Sequence, residues 1–294
     1  MRKLIVLLLT SSLISPAHAG QMSLLGAGKA SGGGGGGYTG PGDLYSFGLW
    51  VGLKAYNVAT AGTKAIELCD SAGANCADVN TDAVTGALNA PGTRGADNCN
   101  SVNTCTIRTM YDKAGGALDC VQATTANRPT LNMTGGPGGG PAAVFVRAST
   151  QTLTCGAGFT GTQPFTYVAL AERTGTTGSF NTVLGSGGPD LLFNSSANGC
   201  GIYAGSVFVD TTHCADSTWH AMQGVFNNAS SSFYIDGNSN SGTAGTAVTT
   251  SNYVIGNGIG GLLDGRVSEV GVVTGDKSAN FGALNTNIHT RWGF

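Results

Sequence analysis

The stretch from Ser217 to Val273 constrains the fold more than any other part of the chain. It contains four short apolar runs separated by Asn, Gly and Asp residues, and none of them repeats with a helical period. Phe233 and Ile235 flank a tyrosine and are followed by Asp236-Gly237, a dipeptide that suits a tight hairpin turn. Turn signals at such short intervals are typical of antiparallel strands in a sandwich.

Composition agrees with an all-β fold. Only 10% of the 294 residues are charged, whereas 49 are glycine. Low charge together with abundant Gly, Ser, Thr and Asn favours a turn-rich β protein over a helical one. The chain has no basic stripe that could neutralise phosphates, which argues against nucleic acid as a partner.

The first 19 residues have the pattern of a secretory signal peptide. Arg2 and Lys3 supply the positive start, Leu4–Ile14 the apolar core, and Ala17-His18-Ala19 the small-residue cleavage site. The apolar core is about half as long as the ~20 residues that a membrane span needs, and no other segment could span a bilayer. We therefore expect a secreted, periplasmic or cell-surface protein.

Residues 20–40 contain six consecutive glycines. Such a run is too costly to order, so this segment is interpreted as a flexible linker. A phosphate-binding loop is excluded, because no strand precedes the run and no Gly-Lys-Ser/Thr follows it. The remaining residues, 41–294, are expected to form a single domain.

Eight cysteines follow the predicted cleavage site, and an even set in an exported protein favours disulfides. Spacing favours the pairs Cys69–Cys76 and Cys99–Cys105. Cys120 with Cys155 and Cys200 with Cys214 would complete the set, although spacing does not fix these two pairs. A zinc site is the alternative, but the Cys-x-x-Cys spacing typical of structural zinc is absent.

Several short segments are predicted to be regular. Phe281, Leu284 and Ile288 fall at helical spacing and predict a short C-terminal helix packed on a sheet. A small helix is also expected within Thr81–Ala90. The best predicted strands are Lys64–Leu68, Thr106–Met110, Ala142–Arg147, Phe165–Ala171, Asn181–Leu184, Leu191–Asn194 and Gly201–Val209.

Two stretches carry a resemblance to known families. The run GRVSEVGVV, with the strands before it, resembles the second half of a laminin-G-like, concanavalin-A-like jelly roll. The segments LKAYNVATAGTKAIELCD and CTIRTMYDKAGGALDCVQ resemble the catalytic domain of the arabinofuranosidase B family. That family comprises secreted enzymes that remove α-L-arabinofuranosyl units from plant polysaccharide. The resemblance implies a two-sheet antiparallel jelly-roll sandwich that interacts with a polysaccharide or other glycan, with arabinose-containing glycans among the candidates.

The family's catalytic carboxylates do not transfer to this sequence. Its nucleophile is a Glu in a Met-Glu-Asn-Asn run, where the counterpart here is SSANGCGIYAG with Ala197 and Asn198 near the place. Its acid/base Asp stands in a Gly-Gly-Asp-Asn run, where this chain has GNGIGGLLDG with Asn257 and, later, Asp264. The family's adjacent Cys-Cys pair is also missing. The resemblance therefore implies a carbohydrate-interacting domain that lacks the family's catalytic carboxylates.

An active α-L-arabinofuranosidase with relocated carboxylates remains an alternative. A retaining glycosidase needs two carboxyl groups ~5–5.5 Å apart, and the candidates are Glu172, Glu269 and Asp264, with Asp190 and Asp210 as further partners. The structural interpretation makes Glu172 an edge charge near Arg173 and places Glu269 on a solvated sheet face. A third class is a structural or adhesive surface protein, for which the fold is only a scaffold.

Aromatic side chains are the candidates for sugar binding, because their faces stack on the C–H surfaces of sugar rings. The candidates are Tyr234, Trp219 and Tyr203. Tyr234 alternates out of phase with its apolar neighbours and is predicted to be exposed. No cofactor is expected, apart from a calcium ion that Asp210, His213 and Asp216 could hold at a sandwich rim.

Overall fold

The computed structural model describes residues 38–156, 161–175, 180–194 and 199–294. The predicted signal peptide and most of the predicted linker therefore lie outside the described residues. The linker's last residues, 38–40, contact the domain: the Tyr38 hydroxyl donates a hydrogen bond to the Ala55 carbonyl, and the Asn287 amide donates to the Thr39 carbonyl at 3.2 Å.

Short strands account for most of the regular structure, as the turn-rich sequence predicts. In chain order they are β1 (Leu49–Gly52), β2 (Lys64–Cys69), β3 (Cys76–Asn80), β4 (Thr93–Arg94), β5 (Asp97–Asn98), β6 (Thr106–Met110), β7 (Cys120–Val121), β8 (Thr130–Asn132), β9 (Ala142–Phe145) and β10 (Leu153–Cys155). They continue with β11 (Phe165–Arg173), β12 (Phe180–Gly185), β13 (Asp190–Asn194), β14 (Gly199–Tyr203), β15 (Val207–Asp210), β16 (Trp219–Phe226), β17 (Ser231–Ile235), β18 (Asn238–Gly242), β19 (Val254–Ile255) and β20 (Gly265–Thr274). Single 3₁₀ turns are formed by Pro41–Asp43, Val58–Thr60, Thr125–Asn127, Pro137–Gly139, Arg147–Ser149, Asn228–Ser230 and Ser278–Asn280.

Strand β11 lies at the centre of the first sheet. It pairs antiparallel with β16 on one side and with β20 on the other, and every one of its residues is buried. Strands β17 and β18 extend this sheet beyond β16, while β1 and β9 both pair with β20. A strand buried on both faces must be covered by other elements on both sides.

The second layer includes β12, β13, β14 and β15, which pair antiparallel in chain order. From β12 the pairing continues through β19, β10 and β7 to β6, β2 and β3. Its inner face meets that of the first sheet so closely at Gly224 that a side chain there would collide with Ile202. The predicted all-β antiparallel sandwich is thus confirmed. Its assignment to the concanavalin-A-like or laminin-G-like type stays a prediction.

All eight cysteines are paired in four disulfides, as the sequence predicts. The bonds join Cys69–Cys76, Cys99–Cys105, Cys120–Cys155 and Cys200–Cys214. The first and third bridge directly opposed residues of neighbouring strands. The disulfides therefore cross-link segments within the β structure.

The predicted C-terminal helix is present as α1 (Phe281–Trp292). Phe281, Leu284 and Ile288 are buried, as their spacing predicts, together with Trp292. The helix ends at Gly293, whose φ of 73° places it in the left-handed region where glycine is favoured. No helix in the described ranges is long and apolar enough to cross a bilayer.

Two predicted elements differ from the structure. The single strand expected at Gly201–Val209 is the hairpin β14–β15, because the chain reverses at Gly205, whose φ is 104°. The helix expected within Thr81–Ala90 is a turn, in which the Asp82 carboxylate accepts hydrogen bonds from the Val84 and Thr85 N–H groups. Acidic side chains that bond their own backbone in this way compete with a helix.

The contact between α1 and the sheet includes a buried ion pair. The Arg291 guanidinium donates to the Glu269 carboxylate at 2.5 Å, and the Trp292 indole donates to the same oxygen at 3.1 Å. Both charged side chains are at most 5% exposed.

Replacing Glu269 with Gln should destabilise the protein by roughly 3–5 kcal/mol, because Arg291 would keep an uncompensated buried charge. Denaturant unfolding of wild type and variant measures this difference. Glu67→Gln is the control: Glu67 pairs with Arg108 near the surface at 3.4 Å, so its loss should cost at most ~1 kcal/mol. Equal costs for the two substitutions would contradict the assignment of Glu269 as an anchor of α1.

Candidate functional site

A small cavity opens over the second layer of the sandwich. Its volume is about 100 Å³. Two of its apolar side chains face solvent, since Ile259 is 57% and Val207 40% exposed. The lining residues are Phe180 from β12, Leu192 from β13, Tyr203 from β14, Val207 from β15, and Ile259 and Gly260 from the loop before β20.

Asp190 lies beneath the loop that closes one side of this cavity. It begins β13 directly opposite Tyr203, and its carboxylate accepts hydrogen bonds from the Gly260 N–H at 2.9 Å and the Thr182 hydroxyl at 3.2 Å. The side chain is fully buried. Its second oxygen, Oδ1, has no hydrogen-bond partner among the described residues.

Glycine allows the loop to approach this carboxylate. Side chains at Gly185 or Gly258 would collide with the Asp190 oxygens. The run GNGIGG therefore packs tightly over Asp190. Only glycine, which has no Cβ, fits at the points where the backbone touches the carboxylate.

Burial raises the pKa of Asp190 from 3.8 to about 6, although the hydrogen bonds from Gly260 and Thr182 lower it in part. A carboxyl group with such a pKa holds a proton in weakly acidic solution and can also release it. Chemically, Asp190 has the acidity of a general acid. Its burial behind Gly260 separates it from the cavity.

The structure places Glu172 away from this cavity. The residue is buried, and its carboxylate lies 3.4 Å from Arg266. Burial raises its pKa, while the charge of Arg266 opposes that shift. The expected edge charge near Arg173 is wrong, because Arg173 pairs with Asp216 and Glu172 points into the protein.

Glu269 is also misplaced by the sequence interpretation. It was expected on a solvated sheet face, but it is fully buried, because α1 covers that face and supplies Arg291 as its partner. Asp264, the third catalytic candidate, directly precedes β20. Its backbone N–H donates to the Asn181 side chain at 3.1 Å, and its carbonyl accepts from Thr174.

Of the three predicted stacking residues, Tyr203 lines the cavity. Trp219 and Tyr234 lie on β16 and β17 and are not among its lining residues. Tyr234 is half-buried, and the centroid of its ring lies 4.3 Å from the centroid of the Phe281 ring. The prediction of an exposed Tyr234 is wrong, because α1 covers one face of the tyrosine ring.

The predicted calcium ligands have other partners. The Asp210 carboxylate accepts hydrogen bonds from the His213 ring at 2.8 Å and the Asn240 amide at 2.5 Å, and Asp216 pairs with Arg173. Within the described ranges, no group of three His, Cys, Asp or Glu side chains could hold a metal ion. The arrangement around Asp210 closes a turn.

Sequence reasoning named Asp190 only as a further partner and gave no role to Ile259. One signal was present: Asp190 is an acidic residue that opens the apolar run DLLF directly after Gly-Gly-Pro. An acid at the start of a buried strand needs donors nearby. The Gly-rich loop that supplies one of them is 70 residues away along the chain, and its position opposite Asp190 was not readable from the pattern.

Comparison with solved structures identifies the architecture. One arabinofuranosidase in complex with arabinofuranosyl-α-1,2-xylobiose matches with a TM-score of 0.67 and 12% identity, over 86% of this chain and 65% of that one. A mutant GH54 α-L-arabinofuranosidase soaked with 4-nitrophenyl α-L-arabinofuranoside matches with a TM-score of 0.63 and 14% identity, over 86% and 66%. The chain has an arabinofuranosidase-like fold.

This likeness concerns the fold, since the identities are low and the chain spans just under two thirds of the matched structures. A GH54 α-L-arabinofuranosidase soaked with a cyclic sulfate inhibitor gives a TM-score of 0.57 at 13% identity. No protein-family model matches the chain, and no curated protein matches it. Ala197 and Asn198, which stand near the place of the family's nucleophile, lie outside the described residues.

Asp190 predicts a pH dependence of stability. Because its folded-state pKa is raised to about 6, the folded protein keeps a proton that the unfolded chain releases above pH ~4. Stability should therefore fall by up to ~3 kcal/mol as the pH rises from about 4 to about 6, and then level off. Denaturant unfolding across this range should show a smaller fall in Asp190→Asn.

The substitution Asp264→Asn, at the other end of the same loop, is the matched control for the loss of an acidic side chain. A profile that is unchanged in Asp190→Asn would contradict the assignment of a buried, proton-holding Asp190.

Proposed function

We propose that this chain is an exported carbohydrate-binding domain on an arabinofuranosidase-like scaffold, without the catalytic carboxylate pair of that enzyme family. The observation that carries the proposal is the cavity beside Tyr203, whose lining is aromatic and apolar and includes no carboxylate. Sugar sites combine such surfaces with a few polar groups. Four disulfides are consistent with an oxidising compartment outside the cytosol.

The size of the cavity limits what it can hold. Ligand sites commonly measure roughly 300–1,000 Å³, whereas this one has about 100 Å³. Such a space suits one sugar ring rather than a buried oligosaccharide. Exposed Ile259 and Val207 would cover the C–H face of that ring beside Tyr203.

The ion pairs that the glutamates form with arginines disfavour hydrolysis. Glu172 and Glu269 are both buried beside arginines, at 3.4 and 2.5 Å, and Glu67 pairs with Arg108. A retaining glycosidase needs a nucleophile and an acid on opposite sides of the scissile bond. Carboxylates that are occupied by buried ion pairs do not meet this requirement.

A second candidate function is an active arabinofuranosidase in which Asp190 is the acid. A pKa of about 6 favours it, since a general acid works best when its pKa lies near the working pH. This function would require the GNGIGG loop to move away from the carboxyl group. It would also require a second carboxylate to reach the cavity.

The two functions differ in the turnover of 4-nitrophenyl α-L-arabinofuranoside. We expect no release of nitrophenol above that of a buffer blank, because neither step of a double displacement has its reagent. The measurement is absorbance at acidic and neutral pH with the purified mature protein. A rate that disappears in Asp190→Asn would establish the enzyme in place of the binding domain.

Binding is tested with Tyr203→Ala. Loss of one stacking ring should weaken the affinity for a bound glycan about 10-fold, equivalent to ~1.4 kcal/mol. Isothermal titration with arabinan, xylan and glucan oligosaccharides measures this change. Tyr111→Ala, another partly exposed tyrosine whose hydroxyl bonds Asp78, is the control and should bind like wild type.

If Trp219→Ala or Tyr234→Ala abolished binding while Tyr203→Ala did not, the site would lie elsewhere on the sandwich. If the wild-type protein bound none of the glycans tested, the structural or adhesive class of function would be favoured instead.

A further inference from the structure

Arg147 is hydrogen-bonded to a residue that lines the cavity, and it has no carboxylate partner among the described residues. Its Nη2 donates to the Phe180 carbonyl at 2.7 Å, and Phe180 lines the cavity. None of the ion pairs within the described residues includes Arg147. All 16 acidic side chains of the chain lie in the described ranges, so the other segments hold no acidic partner for it.

The guanidinium also has N–H groups that make no hydrogen bond to the described residues. Its Nε is buried and has no hydrogen-bond partner among the described residues. This buried Nε is closed to a ligand. Nη1, by contrast, makes no hydrogen bond to the described residues and is not among the buried groups, so Nη1 and the second Nη2 hydrogen can donate to a ligand. The bond to the Phe180 carbonyl fixes the group in place, which lowers the entropy lost when a ligand binds.

Gly261 lies next to this group. A Cβ added to Gly261 would lie 3.8 Å from both Arg147 Nη1 and the Phe180 carbonyl oxygen, which is an ordinary van der Waals distance. Gly261 follows Gly260, which lines the cavity, and its carbonyl accepts a hydrogen bond from the Thr182 N–H. The guanidinium and the cavity thus border the same short loop.

The carboxylate nearest to the underside of this loop carries little charge in weakly acidic solution. Asp190 lies under the same loop, but burial disfavours its charged form and its carboxylate is held by Gly260 and Thr182. A fixed, unpaired guanidinium beside an apolar, single-ring cavity matches a ring that bears a carboxylate. Arginine recognises that group with two parallel hydrogen bonds.

We propose that Arg147 and the Tyr203 cavity form a subsite for an acidic sugar, a uronate, whose ring occupies the cavity and whose carboxylate pairs with the guanidinium. The inference rests on the proposed carbohydrate-binding function and adds the chemical class of the ligand. It assigns to Arg147 a binding role and no chemical step.

The test compares two probes that differ only at C6, methyl glucuronide and methyl glucoside, by isothermal titration with the full mature protein. Wild type should bind the uronide at least 10-fold more tightly, and added salt should reduce this preference. Arg147→Gln should bind both probes equally. Arg147→Lys, which keeps the charge without the planar fork, should retain part of the preference.

Arg94→Gln is the matched control. Arg94 also lacks an acidic partner and donates to the carbonyls of Pro91 and Thr93, so its loss should leave the preference unchanged. Thermal unfolding of each variant establishes that it is folded. Equal binding of both probes by wild type would overturn the uronate subsite while the carbohydrate-binding function stood. Absence of binding to either probe and to neutral glycans would overturn both.

Discussion

The double pairing of β11 is the constraint on which the rest of the structure depends. This nine-residue strand hydrogen-bonds to β16 and β20 and is buried along its whole length. Its inner face requires the second layer of strands. On the outer face of the same sheet α1 packs against β16, Tyr234 of β17 and Glu269 of β20. The cavity exists because the second layer has its own outer face, where the strands from β12 to β15 meet the loop before β20 rather than another sheet.

Burial on both faces also explains why charged residues occur inside this protein. Glu172 and Glu269 stand on β11 and β20, where a sandwich with one solvated face would have exposed them. Because α1 covers the outer face at Glu269, its charge is acceptable only with Arg291 in place. The helix and the glutamate are thus mutually dependent, and Glu269 is buried beneath the helix rather than at the surface.

Local features were predictable from the sequence, and contacts between distant segments were not. The hairpin at Asp236-Gly237 joins β17 to β18, since both residues have positive φ, 46° and 88°. The short disulfide loops followed from spacing in the same way. The environments of Tyr234, Glu269 and Asp190 depend on which element covers them, and these elements are separated from them along the chain by tens of residues. Period-two alternation identifies a side chain's face but not what packs on that face.

The arabinofuranosidase-like fold and the proposed site follow different parts of the chain, and this difference bears on function. The scaffold is defined by strand pairing, which tolerates 12–14% identity to the solved enzymes. The proposed recognition instead rests on a few positions around one loop. Glycines bring that loop onto Asp190, Ile259 projects from it into solvent, and Arg147 borders it with an unpaired charge. A loop that encloses its nearest carboxylate and presents an apolar surface beside a cation is the feature on which the proposed ligand binding rests.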